Sequence, residues 1–351
     1  MKNYEYSGAL HIHTTYSDGT GTIEDVIKQA KKAGLSWIII TDHNSIKGLD
    51  EKKEGYYDNV CVLVGQEISP DKANHYLAFD VNELISEKQE PQDFINEVNA
   101  KGGFGFIAHP DEQEVRDNSY PALRWQNWDV ENFTGIEIWN YMSDWVDTLT
   151  RKNKINKFLQ PDKSLHGPTL KVTEWWDKLN NDNERVVPAV AGLDVHAFKY
   201  NFVGLPLTVF PYDKSFKTIQ NSIQIDDFLS RDFETAKKQI YTALKNGNNI
   251  MFNNYFGSLE GVVFTATRKD AKNNQIRSAV GEFLEIEKDF ILDIEVPQEA
   301  QIKLYHNGKL IKDEKTTHLK HRTEEPGSYR FEAYINGYHW IVSNPIKVKK
   351  V

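Results

Sequence analysis

A single cysteine, Cys61, stands among 351 residues. This excludes an internal disulfide and any metal site built on this chain's own thiolates. No stretch approaches the ~18 apolar residues of a membrane span, and Met1 to Ser7 lack the apolar core of a signal peptide. Positive charge is in short supply: 42 Lys+Arg face 51 Asp+Glu, a formal net charge of −9. That balance argues against extended, sequence-independent nucleic-acid binding. Internal repeats, low-complexity tracts and long like-charge blocks are also missing. What remains is the expectation of a soluble, cytoplasmic, globular protein without membrane contact. Its length suits two domains, or one barrel plus an appendage, and 39% hydrophobic with 12% aromatic residues suffices for a sizeable core.

The first part alternates strand and helix patterns. Gly8–His13 reads as a strand, followed by Thr22 as an N-cap with Asp25 three residues on, as in a capping box. Ile23, Val26, Ile27, Ala30 and Ala33 recur at helical spacing, and Gly34 fits the C′ position. Leu35–Thr41 is a continuous apolar run, as a strand covered on both faces requires. These segments form a βαβ unit and imply a parallel sheet. Further strands are expected at Val60–Ile68, His75–Phe79, Gly105–Ala108, Gly135–Trp139 and Val186–Leu193, with helices such as Gln92–Ala100, Leu170–Leu179 and Glu234–Lys245. A long insertion is expected at about 141–168. Beyond residue 256 the pattern changes to short alternating runs: Gly261–Ala266, Phe290–Val296, Gln301–His306, Tyr329–Ile335 and Ile341–Val348. Turn pairs such as Asn307-Gly308 and Asn336-Gly337 separate several of them, which is the spacing of an antiparallel sandwich. Residues 257–351 hold 15 Lys+Arg and 14 Asp+Glu, a net of +1, leaving −10 for residues 1–256. The expected division is thus 1–256 and 257–351.

Histidine is plentiful, with eleven in the chain, and its placement carries the functional signal. His11 and His13 lie two apart at a strand's end, so both side chains project to one side. Asp18 follows in a loop, Asp42-His43-Asn44 comes directly after the second strand, and Glu67 ends the third. His75 borders the fourth, His109 ends the next, and Asp194 and His196 repeat the i, i+2 arrangement after the last. In a parallel α/β barrel the carboxyl ends of the strands meet on one face, where active sites are built. Any one of these residues alone reads as a solvated strand end or a turn; their recurrence at successive strand ends does not. Imidazole and carboxylate without thiolate suit Zn, Mn, Fe or Ni rather than an all-oxygen Ca or Mg site. Six imidazoles and three carboxylates are too many for one ion but suit two or three, with a carboxylate such as Glu67 able to bridge. Paired metals favour hydrolysis without a covalent protein nucleophile. Glu137 reads as a buried structural carboxylate and Cys61 as a core residue. Asp42 is expected to orient the neighbouring His43. Lys47, Arg116, Arg124 and Lys199 follow site strands and are candidates for contact with substrate phosphate.

These motifs resemble the PHP (polymerase and histidinol phosphatase) superfamily of metal-dependent phosphoesterases. The likeness rests on His11-Ile12-His13, Ser17-Asp18-Gly19, Thr41-Asp42-His43-Asn44, Gly65-Gln66-Glu67, His75, Ala108-His109-Pro110 and Gly192-Leu193-Asp194-Val195-His196, in the family's order across residues 8–200. The resemblance implies a distorted (β/α)7 TIM-like barrel with a trinuclear site at the strands' carboxyl ends. In its pattern His11, His13, Glu67 and Asp194 hold one ion, Asp18, His43 and His196 a second, and Glu67, His75 and His109 a third. The ions would be divalent Mn, Fe or Zn, and Asp18, His43, Asp194 and His196 would carry catalysis. The implied reaction is hydrolysis of a small phosphorylated substrate, a nucleotide, sugar phosphate or short phosphodiester, by a hydroxide held between metals. Three divalent ions would bring the pocket to about +3, so an acidic chain can still attract phosphate there. The seven residues between Glu67 and His75 are fewer than in several relatives. The C-terminal part is similar to the immunoglobulin-like β-sandwich appended to some stand-alone members, in Gly327-Ser328-Tyr329 and Trp340 to Pro345. Two rival readings are an amidohydrolase-like metal barrel, for which no strand-end lysine is placed, and a catalytically weak scaffold whose sandwich engages a partner or glycan.

Overall fold

The Thr22 side chain accepts a hydrogen bond from the Asp25 amide while the Asp25 carboxylate accepts one from the Thr22 amide, so helix Ile23–Ala33 starts at a capping box. It ends at Gly34, whose φ of 75° is left-handed and suits glycine. The buried stripe Ile23, Val26, Ile27 and Ala30 presses on the sheet. The computed structural model describes residues 4–113, 122–147, 149, 165–202 and 205–351. Most of the expected insertion at 141–168, and the candidate Arg116, lie outside the described residues.

Strand Tyr4–Ala9 pairs in parallel with Trp37–Ile40, which pairs in parallel with Val60–Val64. All four side chains of Trp37–Ile40 are buried, as the unbroken apolar run demands. The expected strand Val60–Ile68 is broken at Gly65, where a Cβ would stand 2.6 Å from the Ala78 carbonyl oxygen. Beyond that break Gln66–Ile68 pairs with Tyr76–Phe79. Tyr76–Phe79 runs antiparallel to both neighbours, Gln66–Ile68 and Phe104–Ile107. Parallel pairing resumes from Phe104–Ile107 to Gly135–Asn140 and on to Ala189–Gly192. The path then returns to its start: the Asp194 amide donates to the His11 carbonyl at 2.7 Å and the His13 amide to the Val195 carbonyl at 3.0 Å.

Strand Ile219–Ile225 pairs with the outer edge of Tyr4–Ala9, and Asn249–Asn253 pairs with Ile219–Ile225. Side-chain amides stand in where backbone pairing with Ala189–Gly192 is missing. Asn221 Oδ1 accepts from the Ala191 amide at 2.9 Å, and Asn344 Oδ1 from the Ala189 amide at 2.7 Å. Asn344 Nδ2 in turn donates to the carbonyls of Ala189 and Asn249.

The C-terminal strands are hydrogen-bonded to this first part: Asn249–Asn253 pairs on its other side with Tyr338–Ser343. They surround a core of their own that includes Phe264, Leu292, Ile294, Ile302, Phe331 and Trp340. Phe290–Val296 and Gln301–His306 are halves of one strand, Phe290–His306, with an irregularity between Glu295 and Ala300. Ile341–Val348 is instead two strands, Tyr338–Ser343 and Ile346–Lys350, interrupted at Asn344-Pro345; proline cannot continue the ladder. The chain has a mixed α/β fold with a sheet-rich C-terminal region. Among the described residues no helix is long and apolar enough to cross a membrane.

Candidate metal centre

The reversed strand explains how residues from both ends of strands share one face. Glu67 lies on Gln66–Ile68, which pairs antiparallel with Tyr76–Phe79, so His75, just before Tyr76, comes to the same side as Glu67. Seven residues suffice for this hairpin-like return. The other residues leave strands at their carboxyl ends: His11 and His13 after Tyr4–Ala9, His43 after Trp37–Ile40, His109 after Phe104–Ile107, and Asp194 and His196 after Ala189–Gly192. Three of these positions are left-handed, His11 with φ 62°, His109 with φ 27° and Asp194 with φ 54°. Such conformations cost of order 1–3 kcal/mol each and persist where surrounding structure enforces them.

All nine sequence-predicted ligands come together. His11 Nε2 lies 3.5 Å from both Glu67 Oε2 and Asp194 Oδ1, and His13 Nε2 lies 3.5 and 3.3 Å from the same two oxygens. Asp18 Oδ1 stands 3.1 Å from His196 Nε2 and 3.7 Å from His43 Nε2. Glu67 Oε1 faces His75 Nδ1 at 2.9 Å and His109 Nε2 at 3.3 Å. Glu67 thus turns one oxygen to each of two groups, and its side chain is 0% exposed. Its Oε2 also meets His43 Nδ1 at 2.7 Å. His11 Nε2, both ring nitrogens of His13 and His109 Nδ1 are buried without a hydrogen-bond partner. Groupings of these residues offer ligand atoms close enough to hold an ion.

Burial opposes ionisation throughout, and neighbours decide the outcome. His13 is pushed down to about 3 by burial and by the adjacent His196 and His43. For His43 and His109 burial is outweighed by carboxylates, Glu67 foremost, which raise both to about 9. Burial likewise fails to protonate Asp18, which His196 and His43 hold at about 2, and the imidazoles keep Glu67 and Asp194 well below the usual carboxylate range. Ionised carboxylates thus face imidazoles across the cluster, and an ion binding there would displace the protons that Glu67 favours on His43 and His109.

The sequence model of the PHP domain family matches residues 9–296. The chain belongs to the PHP domain family. A Methanocaldococcus jannaschii protein described as uncharacterized is 30% identical over 169 residues, 44% of this chain and 94% of its own length. The phosphoribosyl 1,2-cyclic phosphate 1,2-diphosphodiesterase of Eggerthella lenta is 39% identical over 61 residues, 17% of this chain and 23% of that protein. Among solved structures, a two-domain protein of Bacteroides vulgatus containing a predicted PHP-like metal-dependent phosphoesterase aligns over 97% of this chain and 95% of its own. That alignment has 14% identity and a TM-score of 0.47.

Around the PHP cluster a second layer holds the imidazoles. Glu137 Oε1 accepts from His11 Nδ1 at 2.7 Å and Oε2 from the His109 amide at 2.8 Å, with Asn140 Nδ2 donating at 3.0 Å. Gly192 makes room for this carboxylate, since a Cβ there would lie 1.6 Å from Glu137 Oε1. His43 is met by Ser69 Oγ at 2.6 Å rather than by Asp42. Asp42 instead accepts from Thr14 N, Thr14 Oγ1 and Ser17 Oγ, at 2.7, 2.7 and 2.6 Å. It therefore fixes the loop that carries Asp18, because its carboxylate points towards the first strand's continuation. Asn140 and Ser69 were missed in the sequence; the signal for Asn140, a polar residue closing a buried strand, was the same one that marked the ligands. Of the phosphate candidates, Lys47 is exposed and Arg124 donates Nε to the Glu112 carbonyl at 2.6 Å. Lys199 alternates to the strand face opposite Phe198, the residue that touches His196.

Proposed function

We propose that this chain hydrolyses a phosphomonoester, such as a nucleotide or sugar phosphate, or a short phosphodiester, at a centre of two or three divalent Mn, Fe or Zn ions. The supporting observation is the unmet demand at the cluster: buried imidazole nitrogens and carboxylate oxygens meet at 3.3–3.5 Å while His11 Nε2 and both ring nitrogens of His13 lack hydrogen-bond partners. Such atoms are costly to bury unless something binds them, and their N/O character fits these ions. Within this reading the strand path that returns from Ala189–Gly192 to Tyr4–Ala9 is a distorted (β/α)7 barrel, spanning residues 1–256, and residues 257–351 are an appended sandwich.

His11, His13, Glu67 and Asp194 would hold one ion, Asp18, His43 and His196 a second, and Glu67, His75 and His109 a third. The bound ions would supply an activated water and neutralise charge growing on phosphoryl oxygens. The protein's own part is orientation. Glu137 accepts from His11 Nδ1 and so aims Nε2 at the cluster. The Asp194 carbonyl does the same for His196, accepting from Nδ1 at 2.9 Å and leaving Nε2 towards Asp18. Asp18, His43, Asp194 and His196 border the reacting phosphate, and Lys47 and Arg124 are assigned to contact its outer oxygens.

The test is metal analysis and phosphatase assay of the wild type beside His11→Ala and Asp194→Ala. Each variant is expected to lose bound metal and about 10³-fold or more in kcat/KM, corresponding to several kcal/mol of charge stabilisation. Full activity in both variants with no bound metal would sink the reading.

A further inference from the structure

The cluster is closed on one side and open on the other. Glu67 and His11 side chains are fully covered, whereas Asp18 is 54% exposed and His43 26%. The open side is therefore the one bordered by Asp18, His43 and His196. From His196 a stack of rings leads outward: His13 and His196 lie 4.0 Å apart at 12°, and His196 and Phe198 4.7 Å apart at 11°. Phe198 begins a two-stranded hairpin, Phe198–Phe202 with Leu205–Val209, that belongs to neither larger sheet.

Strand geometry fixes which hairpin residues face the same way. Phe198 pairs with Val209 and Tyr200 with Leu207, so these four side chains share one face. Phe198 and Val209 are partly buried against the core, while Tyr200 is 45% and Leu207 36% exposed. Tyr200 approaches Phe198 at 6.4 Å. An apolar strip thus starts on a ring stacked on His196, a residue that meets Asp18 at 3.1 Å, and continues to the exposed Tyr200 and Leu207. The opposite hairpin face is polar, with Lys199 paired to Thr208.

We propose that this strip is the leaving-group wall and selects phosphoesters whose leaving group is a flat aromatic ring. The inference rests on the phosphoesterase reading. With phosphate at Asp18, His43 and His196, the ester substituent on the open side lies along Phe198, Tyr200 and Leu207. An aryl group gains stacking and apolar burial there, while a polyol must surrender hydration to apolar side chains.

The experiment measures kcat/KM of the Mn²⁺-loaded protein on 2-naphthyl phosphate and on glycerol 3-phosphate, for the wild type and for Tyr200→Ala/Leu207→Ser. Neither substituted residue is among the metal-site ligands. Comparing the naphthyl-to-glycerol ratio between proteins cancels the intrinsic reactivity of each ester. The ratio is expected to fall about tenfold, through KM of the naphthyl ester, as loss of one stacking contact would give. Hydrolysis of both esters with an unchanged ratio overturns this inference alone. Failure of the metal-loaded wild type to hydrolyse either ester overturns the phosphoesterase reading and this inference with it. A change in sedimentation mass of the variant with an unchanged ratio would make the strip a contact between copies and likewise overturn the wall.

Discussion

Two buried clusters of charge, one in each half of the chain, use similar residue types to opposite ends. In the C-terminal half Arg330 donates Nε and Nη2 to the two oxygens of Asp177 at 2.6 and 2.7 Å, and Nη1 to Glu332 Oε1 at 2.5 Å. Tyr305 donates to the other Glu332 oxygen at 3.2 Å, and the guanidinium lies 4.2 Å from the Tyr305 ring. Each of these groups meets its complement within the chain, so the arginine is held above its usual range and Glu332 below its own. At the strand ends, by contrast, imidazoles and carboxylates converge with donor pairs left over. Burial and charge alone do not separate a fastening from a receptor; satisfaction does. The first cluster joins helix Leu170–Asp182 to strand Gly327–Ile335, while the second offers groupings of ligand atoms that could hold an ion.

The largest predicted departure breaks the satisfied cluster. Arg330→Met leaves the half-buried Asp177 and the buried Glu332 without their guanidinium partner and should cost about 3–5 kcal/mol in urea unfolding, while metal content per folded molecule stays at the wild-type level. Loss of metal without loss of stability would reverse the assignment of the two clusters. Next comes Glu137→Gln, which keeps shape but weakens the grip on His11 Nδ1. Metal affinity should fall about 10–100-fold by competition with a chelator, and an unchanged affinity would reduce Glu137 to packing. The smallest effect belongs to Asp147, whose carboxyl is raised to about 7 by burial and by Glu112, Asp144 and Asp111. A folded pKa above the unfolded one means that its neutral form is favoured on folding, so its contribution is best at low pH and is lost as pH rises through about 7. Asp147→Asn should therefore raise Tm by about 1–3 °C at pH 8, with the gain shrinking towards pH 5; a constant gain would point to a cause other than titration.

Strand-end residues were legible because the parallel rule ties a residue's place in sequence to a place in space. Thr22, Asp25 and Gly34 were legible for a local reason, as capping chemistry needs no distant partner. Partners separated by long loops were not. Asp42 neighbours His43 in sequence, yet its carboxylate serves Thr14 and Ser17. The strand Lys309–Thr323 escaped notice because it pairs with Phe290–His306 while burying only Leu319, so its lysines and threonines show no core-facing alternation. The hairpin after His196 was hidden by its shortness, and its value lies in the Phe198 ring that stacks on the histidine two residues before it.

Strand Asn249–Asn253 lies between Ile219–Ile225 and Tyr338–Ser343, and Asn344 reaches past it to Ala189. A cut after residue 256 would leave a hydrophobic strand, Asn249-Ile-Met-Phe-Asn253, with one row of amides and carbonyls open to solvent. Such an edge recruits other chains into fibres and precipitates. The later strands act as a shutter against self-association. For an excised front half to remain dispersed at working concentration, its new edge would need lysine or proline on the solvent side.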